Sequence, residues 1–126
     1  MPENPTILCV DDEERALFLR QAVLQKLGFE VVTAGSAKQA LTILETTPVS
    51  LVLSDLLMPE VSGAELAKSV KERYPDLPVV IVSGVNEIPT DLFCADLFVS
   101  KLEGPLALSE RLRNLLENRQ AAQGKP

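Results

Sequence analysis

Five short, largely apolar runs alternate with stretches of helical periodicity, and this alternation constrains the fold more than any other feature. The runs are residues 7–10, 29–33, 50–54, 79–82 and 97–100. Such runs are typical of strands that are buried on both faces, and strands that alternate with helices form a parallel sheet with helices on both sides. Since 126 residues fit one ordinary domain, the sequence predicts a single α/β domain.

The stretches between the runs carry helix signals. Apolar residues of the first stretch recur at helical spacing, at Ala16, Leu19, Val23 and Leu27. Gly28 is expected to end that helix. The next two helices are expected to start with capping boxes, in which Ser36 precedes Gln39 and Ser62 precedes Glu65 by three residues. The last helix is expected to bury four leucines: Leu108, Leu112, Leu115 and Leu116.

One segment, residues 84–96, departs from the alternation. A crossover helix belongs between the fourth and fifth runs, yet this segment contains Pro89 and has no apolar period. We therefore predict a loop or one short turn there.

Composition excludes several classes of function. The net charge of −6 argues against non-specific binding to nucleic acid or to an anionic membrane. No run approaches the roughly 20 apolar residues of a membrane helix, and the first residues do not resemble a secretory signal. The chain has no histidine, and Cys9 and Cys94 lack metal-site spacing, so a histidine triad or a zinc site is not expected. A cytoplasmic location is the expectation.

Polar residues stand where four of the runs end. Asp11 and Asp12 follow the first run, Asp55 the third, Ser83 the fourth and Lys101 the fifth. Taken singly, each has a simpler explanation, such as a helix cap or a turn. Together they converge, because the carboxyl ends of parallel strands share one edge of the sheet. Three clustered carboxylates suit a hard cation such as Mg²⁺, and a lysine balances a phosphoryl group on a carboxylate nucleophile.

The order and spacing of these residues resemble the receiver domain of two-component response regulators over nearly the whole chain. The matching stretches are residues 7–13, 54–59, 63, 82–84 and 98–101. The resemblance implies a flavodoxin-like, doubly wound parallel sheet of five strands in the order 2-1-3-4-5. Because residues 84–96 are short for this family and contain Pro89, we expect the fourth helix to be shortened or missing.

The resemblance also assigns a metal site. It implies that Asp55 accepts a phosphoryl group from the phosphohistidine of a sensor histidine kinase or a histidine phosphotransfer protein. Asp12 and Asp55 would bind Mg²⁺ directly, Asp11 would act through water, and the backbone carbonyl of Leu57 would complete the protein ligands.

Further residues acquire catalytic roles (Lys101 and Ser83) and switch roles (Ser83 and Phe98) by the same resemblance. Lys101 would pair with the phosphoryl oxygens, Ser83 would donate a hydrogen bond to one of them, and Phe98 would follow Ser83 as the aromatic switch residue. Two positions depart from the family. Gly84 stands where Ala is more usual, and Leu102 replaces a proline that follows a cis peptide bond, which is costly before any other residue.

The sequence therefore predicts a single-domain receiver over residues 1–118, with a polar tail at residues 119–126. It would signal by contact with an unknown downstream protein, and a homodimer stays open. The main alternative is a degenerate receiver that serves as an unphosphorylated scaffold or dimerisation module. A third hypothesis, a Mg²⁺-dependent phosphohydrolase, is less consistent with the sequence. Such enzymes carry a second acid two residues after the nucleophile, where this chain has Leu57.

Overall fold

The protein is a parallel sheet flanked by helices. The computed structural model describes residues 4–84 and 95–123, with side chains to residue 118. The elements are β1 (Thr6–Val10), α1 (Glu14–Lys26), β2 (Glu30–Ala34), α2 (Ala37–Thr46), β3 (Leu51–Asp55), α3 (Gly63–Arg73), β4 (Val79–Ser83), β5 (Leu97–Ser100) and α4 (Pro105–Gln123). The strands are parallel in the order β2-β1-β3-β4-β5, which confirms the predicted fold.

The predicted shortened or missing helix falls largely on residues 85–94, which lie outside the described residues. The described part of the chain contains four helices, and none of them is long and apolar enough to cross a membrane. Helix α4 continues to Gln123, beyond the predicted start of the polar tail at residue 119, so the domain boundary stays a prediction.

Alternating side chains of the central strands feed two apolar clusters, one on each face of the sheet. On β1, Leu8 and Val10 join the cluster that contains residues of α2 and α3. Ile7 and Cys9 join the other cluster, which contains residues of α1 and α4. Strands β3 and β4 are buried along their whole length. Burial on both faces explains why these strands read as continuous apolar runs rather than as an alternating pattern.

The buried side of α1 is displaced from the predicted one. Leu17 and Leu24 are buried, whereas Leu19 is 62% exposed. Both sets of residues satisfy helical spacing, and a shift of one position rotates the buried stripe by about 100°. Packing of Leu17 and Leu24 in the cluster that includes Leu112 of α4 decides between them. The end of α1 is as predicted, because Gly28 has a φ of 102° just after the C-cap residue.

The two predicted capping boxes differ in detail. At α3 both reciprocal bonds are present, from the Glu65 amide to the Ser62 hydroxyl and from the Ser62 amide to the Glu65 carboxylate. At α2 the Gln39 amide donates to the Ser36 hydroxyl, as predicted. The side-chain carbonyl of Gln39 reaches one residue further back and accepts from the amide of Gly35, at 2.7 Å. Side chains thus accept hydrogen bonds from backbone amides at the start of both helices.

A polar latch, formed by Lys71 and Asp96, fixes the start of β5 against α3 and β4. The Lys71 ammonium lies 2.6 Å from Oδ2 of Asp96 and donates to the carbonyl of Leu77 at 2.8 Å. The same carboxylate oxygen accepts from the amide of Val79, and the Asp96 amide donates to the Val79 carbonyl, both at 2.8 Å. The latch anchors the strand that leads to Lys101.

Replacing Lys71 with Met is expected to lower the free energy of unfolding by about 1–2 kcal/mol, because a partly buried carboxylate and a carbonyl lose their cationic donor. The matched control is Lys68→Met, which removes an exposed lysine from the same helix. Urea unfolding of both variants measures the difference. Equal stability of the two variants would show that the latch contributes nothing.

Candidate functional site

Strand register brings the predicted residues to one edge of the sheet. Ser54 of β3 is paired with Val10 of β1, so the next residues, Asp55 and Asp11, emerge side by side. On the other side of β3, Ser83 of β4 is paired with Ser100 of β5, and Lys101 follows directly. The Lys101 amide donates to the carbonyl of Ser83 at 2.7 Å, which continues the pairing beyond the last residues of both strands.

Three carboxylates cluster at this edge. Asp11, Asp12 and Asp55 each offer an oxygen, and these oxygens lie within 4.8 Å of one another. Asp11 and Asp55 are buried, at 3% and 4% exposure, while Asp12 is exposed. Carboxylates brought so close repel one another, and oxygen-only ligands of this kind are those that Mg²⁺ prefers. The cluster therefore fits a hard divalent cation.

Lys101 completes the site as the counter-ion of Asp55. Its Nζ atom lies 2.8 Å from Oδ1 of Asp55, and its own side chain is 43% exposed. Burial raises the pKa of Asp55 above its usual value, the hydrogen bond from Lys101 opposes that rise, and the charge of Asp11 adds to it. The carboxylate is thus held in a poorly hydrated place, where a nearby cation has a strong effect on its charge.

A second cation, Arg20 of α1, reaches the same carboxylates and was not predicted from the sequence. Its Nη1 atom lies 3.6 Å from Oδ2 of Asp11. The other oxygen of Asp11 accepts from the amide of Glu13 at 3.0 Å. Arg20 is spaced three residues after Leu17 and four before Leu24, which places it on the inward side of the helix. The sequence pattern alone did not reveal this, because it predicted a different buried stripe.

The two predicted switch residues, Ser83 and Phe98, differ in burial. Ser83 is buried, at 2% exposure, in the last position of β4. Phe98 is 38% exposed and pairs with Ile81 in the sheet, two positions before the end of β5. Leu57, the predicted carbonyl ligand, is 58% exposed and lines the same cleft as the three aspartates. The roles of these residues in metal binding and switching stay predictions.

A cleft of about 650 Å³ opens from the carboxylates toward the space between α1 and α4. Its polar end holds the aspartates, Arg20 and Lys101. Its apolar side is lined by residues of α1 and α4, including Leu19, Val23 and Leu108. The acidic site is therefore reached through a surface that an apolar partner could contact.

A glycine holds the start of α3 against the end of β3. The amide of Gly63 donates to the Leu56 carbonyl at 2.8 Å. A Cβ atom on Gly63 would overlap the carbonyl oxygen of Asp55 and lie only 3.0 Å from Cα of Leu56. The backbone that carries Asp55 is thus fixed from two sides, because the Leu56 amide also donates to the Val82 carbonyl at 2.9 Å.

The loop after β5 is built without the proline that the family resemblance leads one to expect. The described peptide bonds, including that between Lys101 and Leu102, are trans. The amide of Leu102 donates to the Ser100 hydroxyl at 3.1 Å, and that of Glu103 donates to the Ser100 carbonyl at 3.0 Å. Glu103 also pairs with Arg111 of α4 at 2.7 Å. Hydrogen bonds and an ion pair thus order this loop.

Fold and site together define a parallel α/β protein with an acidic cluster and a lysine at the carboxyl edge of its sheet. The model of the response regulator receiver domain family matches residues 7–117. The chain therefore belongs to the response regulator receiver domain family of two-component signalling.

Curated relatives include both sensor kinases and response regulators. The chain is 33% identical over 117 residues to the autoinducer 1 sensor kinase/phosphatase LuxN of Vibrio campbellii, covering 92% of this chain and 14% of LuxN. It is 28% identical over 124 residues to the alkaline phosphatase synthesis transcriptional regulatory protein PhoP of Bacillus subtilis, covering 94% of this chain and 51% of PhoP. The chain thus spans only part of these relatives.

Solved structures agree with the fold. A CheY-like receiver domain protein from Methanospirillum hungatei superposes with a TM-score of 0.88 at 26% identity, covering 95% of this chain and 99% of that one. The response regulator TrrA of Thermotoga maritima, solved in complex with Mg²⁺ and BeF, superposes with a TM-score of 0.82 at 30% identity, covering 88% of this chain and 98% of TrrA.

Proposed function

We propose that the chain accepts a phosphoryl group on Asp55 from the phosphohistidine of a sensor histidine kinase or a histidine phosphotransfer protein. The observation that carries the proposal is the pairing of a buried carboxylate, Asp55, with the Lys101 ammonium at 2.8 Å beside two further carboxylates. Phosphoryl transfer requires mainly positioning and neutralisation of charge, and this arrangement offers both.

In the proposed reaction an oxygen of Asp55 attacks the phosphorus atom of the phosphohistidine. The O–P bond forms as the N–P bond breaks, and the electron pair of the broken bond returns to the imidazole nitrogen. Asp55 must be ionised to attack, and the hydrogen bond from Lys101 favours the ionised form against the effect of burial. Lys101 then remains beside the new phosphoryl oxygens and offsets their charge.

Mg²⁺ is the cofactor that the carboxylates fit. By family resemblance Asp12 and Asp55 would bind it directly, Asp11 would act through water, and the carbonyl of Leu57 would complete the protein ligands. Bound there, Mg²⁺ would neutralise charge that develops on the phosphoryl oxygens. By analogy, the complex of TrrA with Mg²⁺ and BeF supports Mg²⁺ as the ion that binds here.

The signal would leave by protein–protein contact. Large apolar side chains are exposed on the side of the molecule that carries the site, among them Leu19 on α1, Leu57 after β3 and Leu102 after β5, at 62%, 58% and 74% exposure. Exposed apolar groups of this kind favour a protein partner over nucleic acid, as does the net charge of −6. A cytoplasmic location stays a prediction.

Phosphorylation of the wild-type chain by acetyl phosphate tests the proposal. We expect one acid-stable, hydroxylamine-sensitive acyl phosphate per chain, mapped to the peptide that contains Asp55, and no adduct when EDTA removes Mg²⁺. Acetyl phosphate is a small donor, so the result does not depend on knowing the kinase. A folded protein that takes up no phosphoryl group would instead favour the unphosphorylated scaffold, and an adduct on another residue would refute the assignment of Asp55.

A further inference from the structure

We propose that Arg20 is a second fixed cation of the phosphorylation site and that it lowers the affinity of the unphosphorylated protein for Mg²⁺. The inference rests on the proposed function, because it concerns metal binding by the same carboxylates. It goes further in assigning a role to a residue of α1 that contributes no metal ligand and no nucleophile.

The position of Arg20 is unusual for a charged residue. It lies between Leu17 and Leu24 on the inward side of α1, and its side chain is only 15% exposed. Removing a guanidinium from water is costly unless an opposite charge is close. The close charge is Asp11, whose Oδ2 atom is 3.6 Å from Nη1 of Arg20. The acidic cluster therefore holds the guanidinium in this position.

Asp11 is engaged on both oxygens before any metal binds. Oδ1 accepts from the Glu13 amide, and Oδ2 faces Arg20. Nη1 of Arg20 is buried and, within residues 4–84 and 95–118, has no hydrogen-bond acceptor. The attraction between Arg20 and Asp11 is therefore one of charge rather than of a directed bond. A divalent cation that approaches Asp11 meets a carboxylate that is already partly neutralised.

The net charge of the cluster sets how strongly it attracts a divalent cation. Three carboxylates face two cations, Lys101 and Arg20, so the cluster carries one net negative charge in the unphosphorylated protein. Without Arg20 it would carry two, and a divalent cation would be attracted more strongly. After phosphorylation, the phosphoryl dianion on Asp55 and the two other carboxylates would carry four negative charges. Lys101, Arg20 and a bound divalent cation would carry four positive charges, so the site would be neutral. Arg20 thus weakens Mg²⁺ binding before phosphorylation and balances charge after it.

Magnesium titrations of single variants test the role of Arg20. Met removes the charge while keeping an unbranched, flexible side chain of similar helix propensity. We expect Arg20→Met to lower the Kd for Mg²⁺ about tenfold, which corresponds to about 1.4 kcal/mol. Arg15→Met is the matched control, since it removes the same charge from the exposed side of the same helix. Arg20→Lys should restore most of the wild-type Kd. Amide NMR shifts at fixed ionic strength give the Kd of the wild-type protein and of the three variants.

A second readout needs no substitution. The side-chain NεH signal of Arg20 should move when Mg²⁺ is added to the wild-type protein, because the charge next to Asp11 changes, whereas that of Arg15 should stay in place. The inference would be overturned if Arg20→Met left the Kd unchanged, or if the Arg20 NεH signal did not move when Mg²⁺ is added. Either result would leave the proposed function intact. Failure of the wild-type protein to bind Mg²⁺ at all would instead remove the proposed function on which the inference rests.

Discussion

The Asp55→Asn variant is expected to take up no phosphoryl group from acetyl phosphate and to melt at a higher temperature than the wild-type protein at pH 7. The first effect follows because the amide oxygen is not a competent nucleophile. The second follows because Asp55 is buried beside two other carboxylates, and removing its charge removes both the burial penalty and the repulsion. We expect a rise of roughly 3–6 °C, the shift that about 1 kcal/mol produces in a domain of this size.

The pH dependence of that gain has a definite sign. The pKa of Asp55 is raised in the folded protein above its ordinary value of 3.8, chiefly by burial. The folded state therefore binds this proton more tightly than the unfolded chain, and the contribution of Asp55 to wild-type stability falls as pH rises from the unfolded pKa through the folded one. The difference in melting temperature between Asp55→Asn and wild type should thus be full at neutral pH and shrink toward pH 3.8 and below.

Circular dichroism melts between pH 3 and pH 8 measure the difference, with Glu72→Gln as the control, since it neutralises an exposed acid on α3. The control should show little change across the series. An Asp55→Asn variant that is less stable than wild type at neutral pH would mean that the pair with Lys101 outweighs the cost of burial. Residual labelling of this variant would show that the phosphoryl group is carried elsewhere.

The fold could be predicted almost completely from the sequence, for a physical reason. Strands that are buried on both faces need continuous apolar runs, and four of the five predicted runs differ from the observed strands by only one residue at one or both ends. The choice of the buried stripe on α1 could not be made in the same way. Leu17 and Leu19 both satisfy helical spacing, and contact with α4 decides which is buried. That contact is a property of the whole fold.

The site residues that lie at the ends of strands could be predicted from the sequence. Asp11, Asp55 and Lys101 are brought together because parallel strands in register present their carboxyl ends at one edge. Arg20 is different, because it lies in the middle of a helix and reaches the site only through the length of its side chain. An arginine on an amphipathic helix is most often a solvated residue, so its pattern alone does not indicate a role.

Replacing Gly63 with Ala is expected to lower the free energy of unfolding by about 2–3 kcal/mol, in the upper part of the range for overpacking. A Cβ atom there would overlap the carbonyl oxygen of Asp55 and press on the backbone of Leu56. Neither can yield cheaply. Asp55 is paired with Val82 in the sheet, and the Leu56 amide donates to the Val82 carbonyl at 2.9 Å. Either α3 must tilt away or the end of β3, with Asp55, must move.

Gly104→Ala is the matched control, because a Cβ atom on Gly104 would have no heavy atom within 4 Å and the change in the unfolded chain is the same. Urea unfolding of the two variants therefore isolates the steric effect of the methyl group. We further expect folded Gly63→Ala protein to bind Mg²⁺ more weakly than folded Gly104→Ala protein, since the strain falls on Asp55, whose carboxylate belongs to the acidic cluster. Equal stability and equal Mg²⁺ affinity of the two variants would show that the start of α3 moves freely. The close approach of α3 to β3 would then play no part in holding Asp55.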